Sequence, residues 1–322
     1  MFYIKRKKEK YEKHPKLFFL AILRKFLSGF MRKMKDDEFY LRIYYWLKTG
    51  KKLNLTSPKT FNEKTQWIKL YDRKPIYTQM VDKYNVLELV REKIGASYVV
   101  PLFGVWNCFD EIDFGKLPNQ FVLKCTHDSG GIAICKDKGK FDFVDKSGNQ
   151  FTSIENVSKR LSRSLENNYY LKGREWVYKN VPRRIIAQQF IQDEAGGSLM
   201  DYKIFTFNGK PKYIQVHFDK SSNVLKANFY STDWVYQDFY IEEVSDKTHT
   251  IPKPKHLEKM LWLAEILAKG TYFLRVDFFY VNNKIYFSEL TFYNWSGFGE
   301  FFPGIFNEIF GSYILLPYEV NR

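Results

Sequence analysis

The sequence has few of the residues that hold small domains together through disulfides or metals. Only three cysteines occur in 322 residues, Cys108, Cys125 and Cys135. An odd number without paired metal-ligand spacing supports neither a disulfide framework nor a zinc site. The five histidines show no metal-binding spacing either. We therefore expect a protein of a reducing, cytoplasmic compartment.

The N-terminal region lacks a hydrophobic run long enough to cross a membrane. Its unbroken apolar run covers residues 17–23, whereas a transmembrane helix needs about 20 residues. Arg24 and Lys25 follow this run directly and no small-residue cleavage site is present, which argues against a secretory signal. The chain also contains no P-loop pattern, no G-x-G-x-x-G and no H-R-D loop. These absences argue against a P-loop NTPase, a dinucleotide-binding domain and a typical protein kinase.

Apolar residues and positive charge are abundant. Hydrophobic residues make up 45% of the sequence and aromatic residues 19%, enough for a sizeable buried core. The formal net charge is +15, but residues 1–35 alone hold twelve Lys and Arg against two Glu. This concentration favours a basic amphipathic arm over a nucleic-acid-binding surface. The arm has two interpretations that can coexist: its helix packs on the core, or it rests on an anionic membrane surface.

Hydrophobic periodicity and turn residues predict a mixed α+β chain. Thr60 and Glu63 have the spacing of a capping box and predict a helix over 61–71. Apolar spacing and Gly95 predict a second helix over 80–95, followed by a strand over 97–106. Further helices are predicted over 153–165 and 256–270, and strands within 118–138 and over 184–192, 201–209, 210–218 and 226–231. Asn208-Gly209 is the strongest hairpin signal in the chain.

The stretch RVDFFYVNNKIYFSELTF, residues 275–292, is an apolar hairpin interrupted by two carboxylates. A two-residue turn would place Asp277 and Glu289 on opposite faces of the sheet. A three-residue loop over 282–284 instead pairs Val281 with Ile285, Asp277 with Glu289, and Arg275 with Thr291. We favour this register because it gathers the charges at one end of a face and leaves Phe279, Val281, Ile285 and Phe287 at the other. Facing carboxylates repel each other unless a cation lies between them, and hard oxygen ligands suit Mg²⁺. The alternative is a half-exposed sheet with solvated acids.

A second candidate site follows an apolar strand at Lys124, where Ser129, Gly130 and Gly131 form a small-residue turn. Backbone amides of such a turn can hold phosphate oxygens while a lysine supplies positive charge. The alternative is an ordinary hairpin turn. His127 lies on the same turn, either as a ligand or as a turn residue. Lys83 is a further phosphate candidate, or else a solvated helix lysine.

Taken in order, these motifs resemble the ATP-grasp superfamily. They are Lys124 with SGG, the RIIAQQFIQ strand, Lys203 in DYK, and the hairpin with Arg275, Asp277 and Glu289. Together with DKYNVLELVREKIG, FNGKPKYIQV and ELTFYNWSGF, the chain is similar to the teichuronopeptide-biosynthesis (TupA-like) type, found in bacterial cell-surface polysaccharide pathways. The resemblance covers roughly residues 50–310. It implies an ATP-grasp fold in which two α+β lobes clamp ATP.

The resemblance also implies roles for individual residues. Lys124 would hold the α and β phosphates, and the turn of Ser129, Gly130 and Gly131 would close over the β and γ phosphates. Lys203 and Arg275 would neutralise the transferred phosphate as catalytic residues. The remaining ATP contacts would be Lys83, His127 and a hinge of Gln188, Gln189, Phe190 and Ile191, and the Mg²⁺ ligands would be Asp277, Glu289 and Thr291. Many relatives have Asn where this chain has Thr291, and an acid where its hinge has glutamines.

From this resemblance we expect four regions: the basic arm over 1–35, an N-terminal α/β domain over 36–115, a small lid lobe over 116–183 and a C-terminal lobe with the metal site over 184–322. The implied activity is that of an ATP-dependent carboxylate–amine ligase, which joins an amine or amino acid to a uronic sugar carboxylate through an acyl phosphate. The sugar would be a small molecule or lipid-linked. The protein would be cytoplasmic, with peripheral membrane contact through the arm. The alternatives are a glycosyltransferase or kinase-like phosphotransferase of the same pathway, and a non-enzymatic basic module that binds membranes or nucleic acids.

Overall fold

The computed structural model describes residues 12, 14–192, 199–218 and 226–317. Six basic residues of the arm lie outside this range: Lys5, Arg6, Lys7, Lys8, Lys10 and Lys13. Helix α1 (Pro15–Arg32) packs against α2 (Asp37–Thr49), and Leu20 and Met31 of α1 are buried against Leu41 of α2. The predicted core-packed helix is therefore present. None of the helices in the described ranges has the length and apolar character that crossing a bilayer needs.

Three helices follow α2, and the first begins as predicted. Helix α3 (Phe61–Tyr71) starts at a capping box in which Thr60 and Glu63 satisfy each other's backbone amides. The predicted helix over 80–95 is wrong in its first half, because the chain forms α4 (Ile76–Val81) and α5 (Val86–Ile94) instead. The break lies at Asp82, whose backbone is extended and whose carboxylate accepts a hydrogen bond from the Tyr84 amide at 2.9 Å. Such local side-chain bonds compete with helix.

A five-stranded antiparallel sheet forms the smaller layer. Its strands are β1 (Leu102–Trp106), β2 (Phe121–Cys125), β3 (Ile132–Asp137), β4 (Asp142–Val144) and β5 (Ile185–Gln189), in the spatial order β1-β5-β2-β3-β4. Helix α6 (Ile154–Glu166) buries Val157 and Leu161 in the core of this layer. The sheet thus takes β1 and β5 from outside the 116–183 range predicted for the lid lobe. The predicted strand over 97–106 begins only at Leu102, because residues 96–98 form a short 3-10 helix and Pro101 has no amide hydrogen for the ladder.

A six-stranded antiparallel sheet forms the larger layer. Its strands are β6 (Asp201–Phe207), β7 (Lys210–Phe218), β8 (Lys226–Ser231), β9 (Tyr236–Gln237), β11 (Phe273–Val281) and β12 (Lys284–Thr291), in the order β12-β11-β6-β7-β8-β9. The short strands β10 (Tyr240–Ile241) and β13 (Phe301–Phe302) pair separately. Helix α7 (Leu257–Ala268) packs on β11, β6 and β7, and Phe310 of α8 (Phe306–Tyr313) packs edge-on against Phe205 and Phe207. The predicted α+β class is confirmed.

The carboxylate hairpin reaches the predicted pairing by a different route. Its turn has two residues, Asn282 and Asn283, both left-handed at φ 51° and 58°, and Val281 pairs with Lys284. The predicted three-residue loop is therefore wrong, because two asparagines tolerate the left-handed turn that suits twisted strands.

A β-bulge then restores the predicted register. The pairing shifts between Asp277 and Phe278, so that Ser288 is the extra residue, Asp277 pairs with Glu289, and Arg275 pairs with Thr291. The pairing of the charged residues is confirmed. The predicted apolar grouping is wrong, because Ile285 pairs with Tyr280 and Phe287 pairs with Phe278 rather than sharing the face of Phe279 and Val281.

Alanine substitution at two helical glycines is expected to change the stability of the protein in opposite directions. At Gly311 an added Cβ would lie 2.1 Å from the Lys59 carbonyl oxygen, so α8 and α3 would have to separate. At Gly29 of α1 nothing lies within 4 Å. We expect Gly311→Ala to lower the free energy of unfolding by about 1–3 kcal/mol and Gly29→Ala to raise it by about 0.5–1 kcal/mol. Urea unfolding measures both, and a Gly311→Ala protein as stable as wild type would contradict the close helix contact.

Candidate active site

A buried charge cluster lies on one face of the larger sheet, where β11 and β6 are neighbours. Asp277 and Lys203 are directly paired across these strands, and the Lys203 Nζ lies 2.7 Å from Asp277 Oδ2. The same Nζ lies 2.7 Å from Oδ2 of Asp201, two residues earlier on β6 and therefore on the same face. Asp277 is fully buried. The lysine is thus held between two carboxylates.

Arg275 completes the cluster from the same strand as Asp277. Its Nε and one terminal nitrogen donate to the two Asp277 oxygens, both at 2.7 Å. That terminal nitrogen also donates to Glu289 Oε1 and to Thr291 Oγ1, each at 3.1 Å, and the other donates to Asn294 Oδ1 at 2.7 Å. The guanidinium therefore lies between the two facing carboxylates, in the position where the sequence predicts a metal ion.

The protonation states follow from burial and from these partners. Burial raises the pKa of Asp277, but the bidentate bonds from Arg275 and the Lys203 ammonium favour the carboxylate, and this geometry indicates an ionised group. Burial alone would also raise the pKa of Glu289, yet the surrounding cations, Arg275 first, outweigh it and leave that pKa below its usual value. For Lys203 burial is outweighed by Asp201 and Asp277, so its pKa is raised and it stays protonated.

Lys124 on β2 of the smaller sheet is close enough to the cluster to be affected by its carboxylates. Its Nζ donates to Gln188 Oε1 on the adjacent strand β5 at 3.0 Å. Burial and then the nearby Lys83 ammonium lower the pKa of Lys124, Glu289 and Asp201 oppose the change, and the resulting pKa is about 8. Charged side chains of both sheets are therefore close enough to influence one another.

The glycine turn is closely packed at Gly131. The amide of Gly131 donates to Asp128 Oδ1 at 3.0 Å, and an added Cβ on Gly131 would lie 2.4 Å from Ser164 Oγ. Gly131 is thus required for packing. Ser129 is exposed at the tip of the turn. The Lys83 ammonium donates to the Asp128 carbonyl, so Lys83 is attached to the turn rather than solvated on a helix.

The other predicted ATP contacts, His127 and the hinge residues, differ in burial and in hydrogen bonding. His127 is buried, and its Nε2 lies 3.0 Å and 3.2 Å from the carbonyls of Ser164 and Asn167 at the end of α6, so this nitrogen carries the proton. Burial lowers the pKa of His127, and its contact with ATP stays a prediction. In the hinge, the amide of Gln189 donates to the Pro101 carbonyl at 2.9 Å. Phe190 and Ile191 follow β5 and are half-buried.

The sequence prediction missed two residues of the cluster. Asp201 could have been found, because strand alternation places it on the face of Lys203. Asn294 is buried and follows β12 in the short helical turn Asn294–Gly297, where Trp295, Ser296 and Gly297 are all left-handed. The Lys69 ammonium of α3 holds this turn at the Ser296 carbonyl, 2.8 Å away. The run NWSG was the one sequence feature that pointed to this left-handed turn.

The predicted Mg²⁺ ligands have the right chemistry for the metal, but their side chains are not arranged around a metal position. Asp277, Glu289 and Thr291 supply hard oxygen ligands on one face. No group of three acidic, histidine or cysteine side chains among the described residues is arranged to hold a metal, and both Asp277 oxygens are bonded to cations. A metal ion would bind here only with displacement of the Arg275 guanidinium.

Comparisons with known proteins give one family and several solved structures. Residues 63–315 match the model of a family described as TupA-like ATPgrasp. The chain is similar to D-alanine–D-alanine ligases from Bacillus anthracis, complexed with ATP (14% identity, 71% of this chain and 56% of that chain, TM-score 0.35), and from Helicobacter pylori (14%, 73% and 63%, TM-score 0.38). It is also similar to the L-amino acid ligase of Bacillus licheniformis (11%, 82% and 57%, TM-score 0.43). The chain thus spans 56% to 63% of the length of these ligases. Comparison with curated proteins found no match.

The position of Arg275 predicts how the cluster responds to free metal. Arg275→Met removes the cation between Asp277 and Glu289, so we expect the nucleotide-free variant to bind Mn²⁺ measurably tighter than wild type. Electron paramagnetic resonance of free Mn²⁺ measures this, with Arg91→Met, at an exposed ion pair with Glu88, as the control. The double variant with Glu289→Gln should lose the gain. If Arg275→Met binds no more Mn²⁺ than wild type, the carboxylate pair is not a cation site.

Proposed function

The chain belongs to the TupA-like ATP-grasp family, and from this we propose that it is an ATP-dependent ligase that joins a carboxylate to an amine. Membership confirms the resemblance and the fold class predicted from the sequence motifs. The observation that carries the proposal is the closeness of Lys124 on one sheet to the cluster of Arg275, Asp277 and Glu289 on the other. A lysine on one sheet near a cluster of cations and carboxylates on the other suits the binding of a polyphosphate.

The cluster supplies what phosphoryl transfer needs, which is positioning and charge neutralisation. Lys124 and Lys83, with the amides of the glycine turn, would bind the phosphates from the side of the smaller sheet. Lys203 and Arg275 would neutralise the transferred phosphoryl group, and Lys203 is held protonated for this by Asp201 and Asp277. Asp277, Glu289 and Thr291 would hold Mg²⁺, which adds positive charge beside the phosphates when bound. No dedicated protein nucleophile is required for an acyl phosphate.

The adenine would lie at the end of β5. Gln188 is buried and its side-chain oxygen accepts from Lys124, which ties the hinge to the phosphate-binding lysine. The backbone groups of Gln189, Phe190 and Ile191 would bind the base, since a backbone hinge does not need the acid frequent in relatives.

We further infer that the carboxylate belongs to a uronic sugar of a bacterial surface polysaccharide, either free or lipid-linked, and that the amine is an amino acid or a simple amine. The resemblance to teichuronopeptide-biosynthesis proteins supports this pathway. The net charge of +15 supports it too, because a cationic surface attracts an acidic sugar polymer. A glycosyltransferase or kinase-like phosphotransferase of the same pathway is the competing assignment.

The proposal predicts Mg²⁺-dependent ATP turnover that needs two co-substrates. We expect phosphate release when a uronic acid and an amine are both supplied, and a loss of at least about 100-fold in Glu289→Gln, because one charged group of the cluster is removed. Phosphate release over panels of uronic acids and amino acids measures this, with Glu308→Gln on α8 as a control for a lost surface charge. Binding of UDP-sugars without ATP binding would favour a glycosyltransferase instead.

For helix α1 we propose contact with an anionic membrane surface. Its inner side is buried against α2, but its outer side is an unusually apolar exposed face. The exposed fractions are 51% for Phe18, 64% for Phe19, 53% for Ile22, 84% for Phe26 and 66% for Phe30. Four exposed basic residues of the same helix and its end accompany this face: Lys16, Lys25, Arg32 and Lys33. Phenylalanine flanked by basic residues is the pattern of interfacial helices, and each basic residue near an anionic surface contributes about 1 kcal/mol.

This proposal predicts attachment to lipid vesicles that depends on the outer face of α1. The triple substitution Phe19→Ser, Phe26→Ser and Phe30→Ser should abolish cosedimentation with phosphatidylserine vesicles and leave ATP binding intact, because these side chains lie outside the core. Trp262→Ser, at a residue of α7 that is 53% exposed, is the matched control. Attachment should weaken as salt rises. If the wild-type protein does not cosediment with the vesicles at physiological salt, membrane contact is refuted.

A further inference from the structure

A carboxylate–imidazole pair lies beside the charge cluster, outside every role assigned so far. His217 Nε2 on β7 lies 2.9 Å from Glu243 Oε2, in the segment after β10. Gln215 Nε2 donates to the same oxygen at 2.7 Å. The side chains of His217 and Glu243 are each about 10% exposed. These three residues form a second polar group on the larger sheet.

Strand register places this group next to the phosphate-transfer residues. His217 pairs with Asp201, and Gln215 pairs with Lys203, across β6 and β7. Paired residues of antiparallel strands project to the same face, so the imidazole shares the face of Lys203, Arg275 and Asp277. Neighbouring strands lie about 5 Å apart. The group is therefore one strand from Lys203 and two from Asp277.

The bonding pattern defines the tautomer of the imidazole. A carboxylate oxygen only accepts, so Nε2 of His217 carries the hydrogen that it donates to Glu243. In the neutral imidazole the lone pair is then on Nδ1, which has no hydrogen-bond partner within the described part of the chain. His127 differs, because its own Nδ1 is buried among residues of the small layer. An imidazole oriented by a carboxylate with its second nitrogen unbonded is the arrangement of a general base.

The residues of the cluster are poorly suited to accept a proton, and the Asp201 carboxylate is held by the Lys203 ammonium at 2.7 Å. Lys203 and Arg275 have raised pKa values and are already protonated. The Asp277 oxygens are bonded to cations, and the pKa of Glu289 is below its usual value, which makes it a weak base. An amine that attacks an acyl phosphate must nevertheless lose a proton.

We propose that His217, oriented by Glu243, is the general base of the amine subsite and lies beside the bound amine. This rests on the ligase function proposed above. The amine nitrogen uses its lone pair to bond to the acyl carbon, and the carbon–oxygen bond to phosphate breaks with its electron pair leaving on phosphate. One proton passes from the nitrogen to His217 Nδ1, and Glu243 stabilises the imidazolium that forms. Gln215 keeps the Glu243 carboxylate in place.

Hydroxylamine separates this role from the ATP-dependent half of the reaction. It is largely unprotonated at neutral pH and attacks acyl phosphates without a base, giving a hydroxamate. Wild type, His217→Gln, Glu243→Gln and the control His256→Gln are each supplied with ATP, Mg²⁺ and glucuronate or galacturonate. The nucleophile is either hydroxylamine or a mixture of the twenty common amino acids. Hydroxamate yield and amine-stimulated phosphate release are measured.

We expect His217→Gln to lose at least about 100-fold in amine-stimulated release, the usual contribution of a general base, while its hydroxamate yield stays within about threefold of wild type. Glu243→Gln should show a smaller loss of the same kind. Retained hydroxamate also shows that the variants fold. Equal loss of both activities, or retention of both, overturns the base assignment. A wild-type protein that makes no hydroxamate overturns the ligase function, and with it this proposal.

Discussion

The bonding of Arg275 to Asp277 is the interaction on which the rest of the site depends. A fully buried carboxylate is costly unless cations and hydrogen bonds replace its lost water. Arg275 supplies two parallel bonds at 2.7 Å and Lys203 a third. The same guanidinium reaches Glu289 on the neighbouring strand and Asn294 in the turn beyond it. The Arg275 side chain therefore links two strands and a turn, and Lys203 adds a third strand through Asp277.

The charged groups near this interaction come from two separate layers. The larger sheet holds the acids Asp201, Asp277 and Glu289 with the cations Lys203 and Arg275. Lys124 of the smaller sheet instead donates to the neutral Gln188 side chain. A polyphosphate bound between the two sheets would neutralise the lysine of the smaller sheet. It would also compete with the carboxylates of the larger sheet for their cations. The strained turn held by Lys69 at Ser296 keeps Asn294 directed at Arg275, so α3 of the N-terminal region takes part in shaping the site.

Much of this architecture was predictable, and the failures have identifiable physical causes. The capping box of Thr60 and Glu63, the Asn208-Gly209 turn and the alternating strands were recognised because each rests on a local rule. The helix over 80–95 failed where the Asp82 side chain replaced a helical hydrogen bond. Asn294 was missed because its position depends on a left-handed backbone held by a distant lysine, which no local pattern encodes. The buried pairing of Arg275 with Asp277 likewise could not be predicted from sequence alone. The spacing of the two acids is equally compatible with a metal ion or a guanidinium between them.

The bulge at Ser288 has a consequence for sequence alignment. Because one unpaired residue lies between the apolar half of β12 and Glu289, the turn and the charged end of the hairpin are not in a common register. A relative whose turn is one residue longer and which lacks the bulge would place its carboxylates on the same face. An alignment that puts the resulting gaps anywhere else in β12 would equate residues from opposite faces of the sheet. Homologous acids in this hairpin are therefore correctly matched by counting backward from the NWSG turn, not forward from the asparagines.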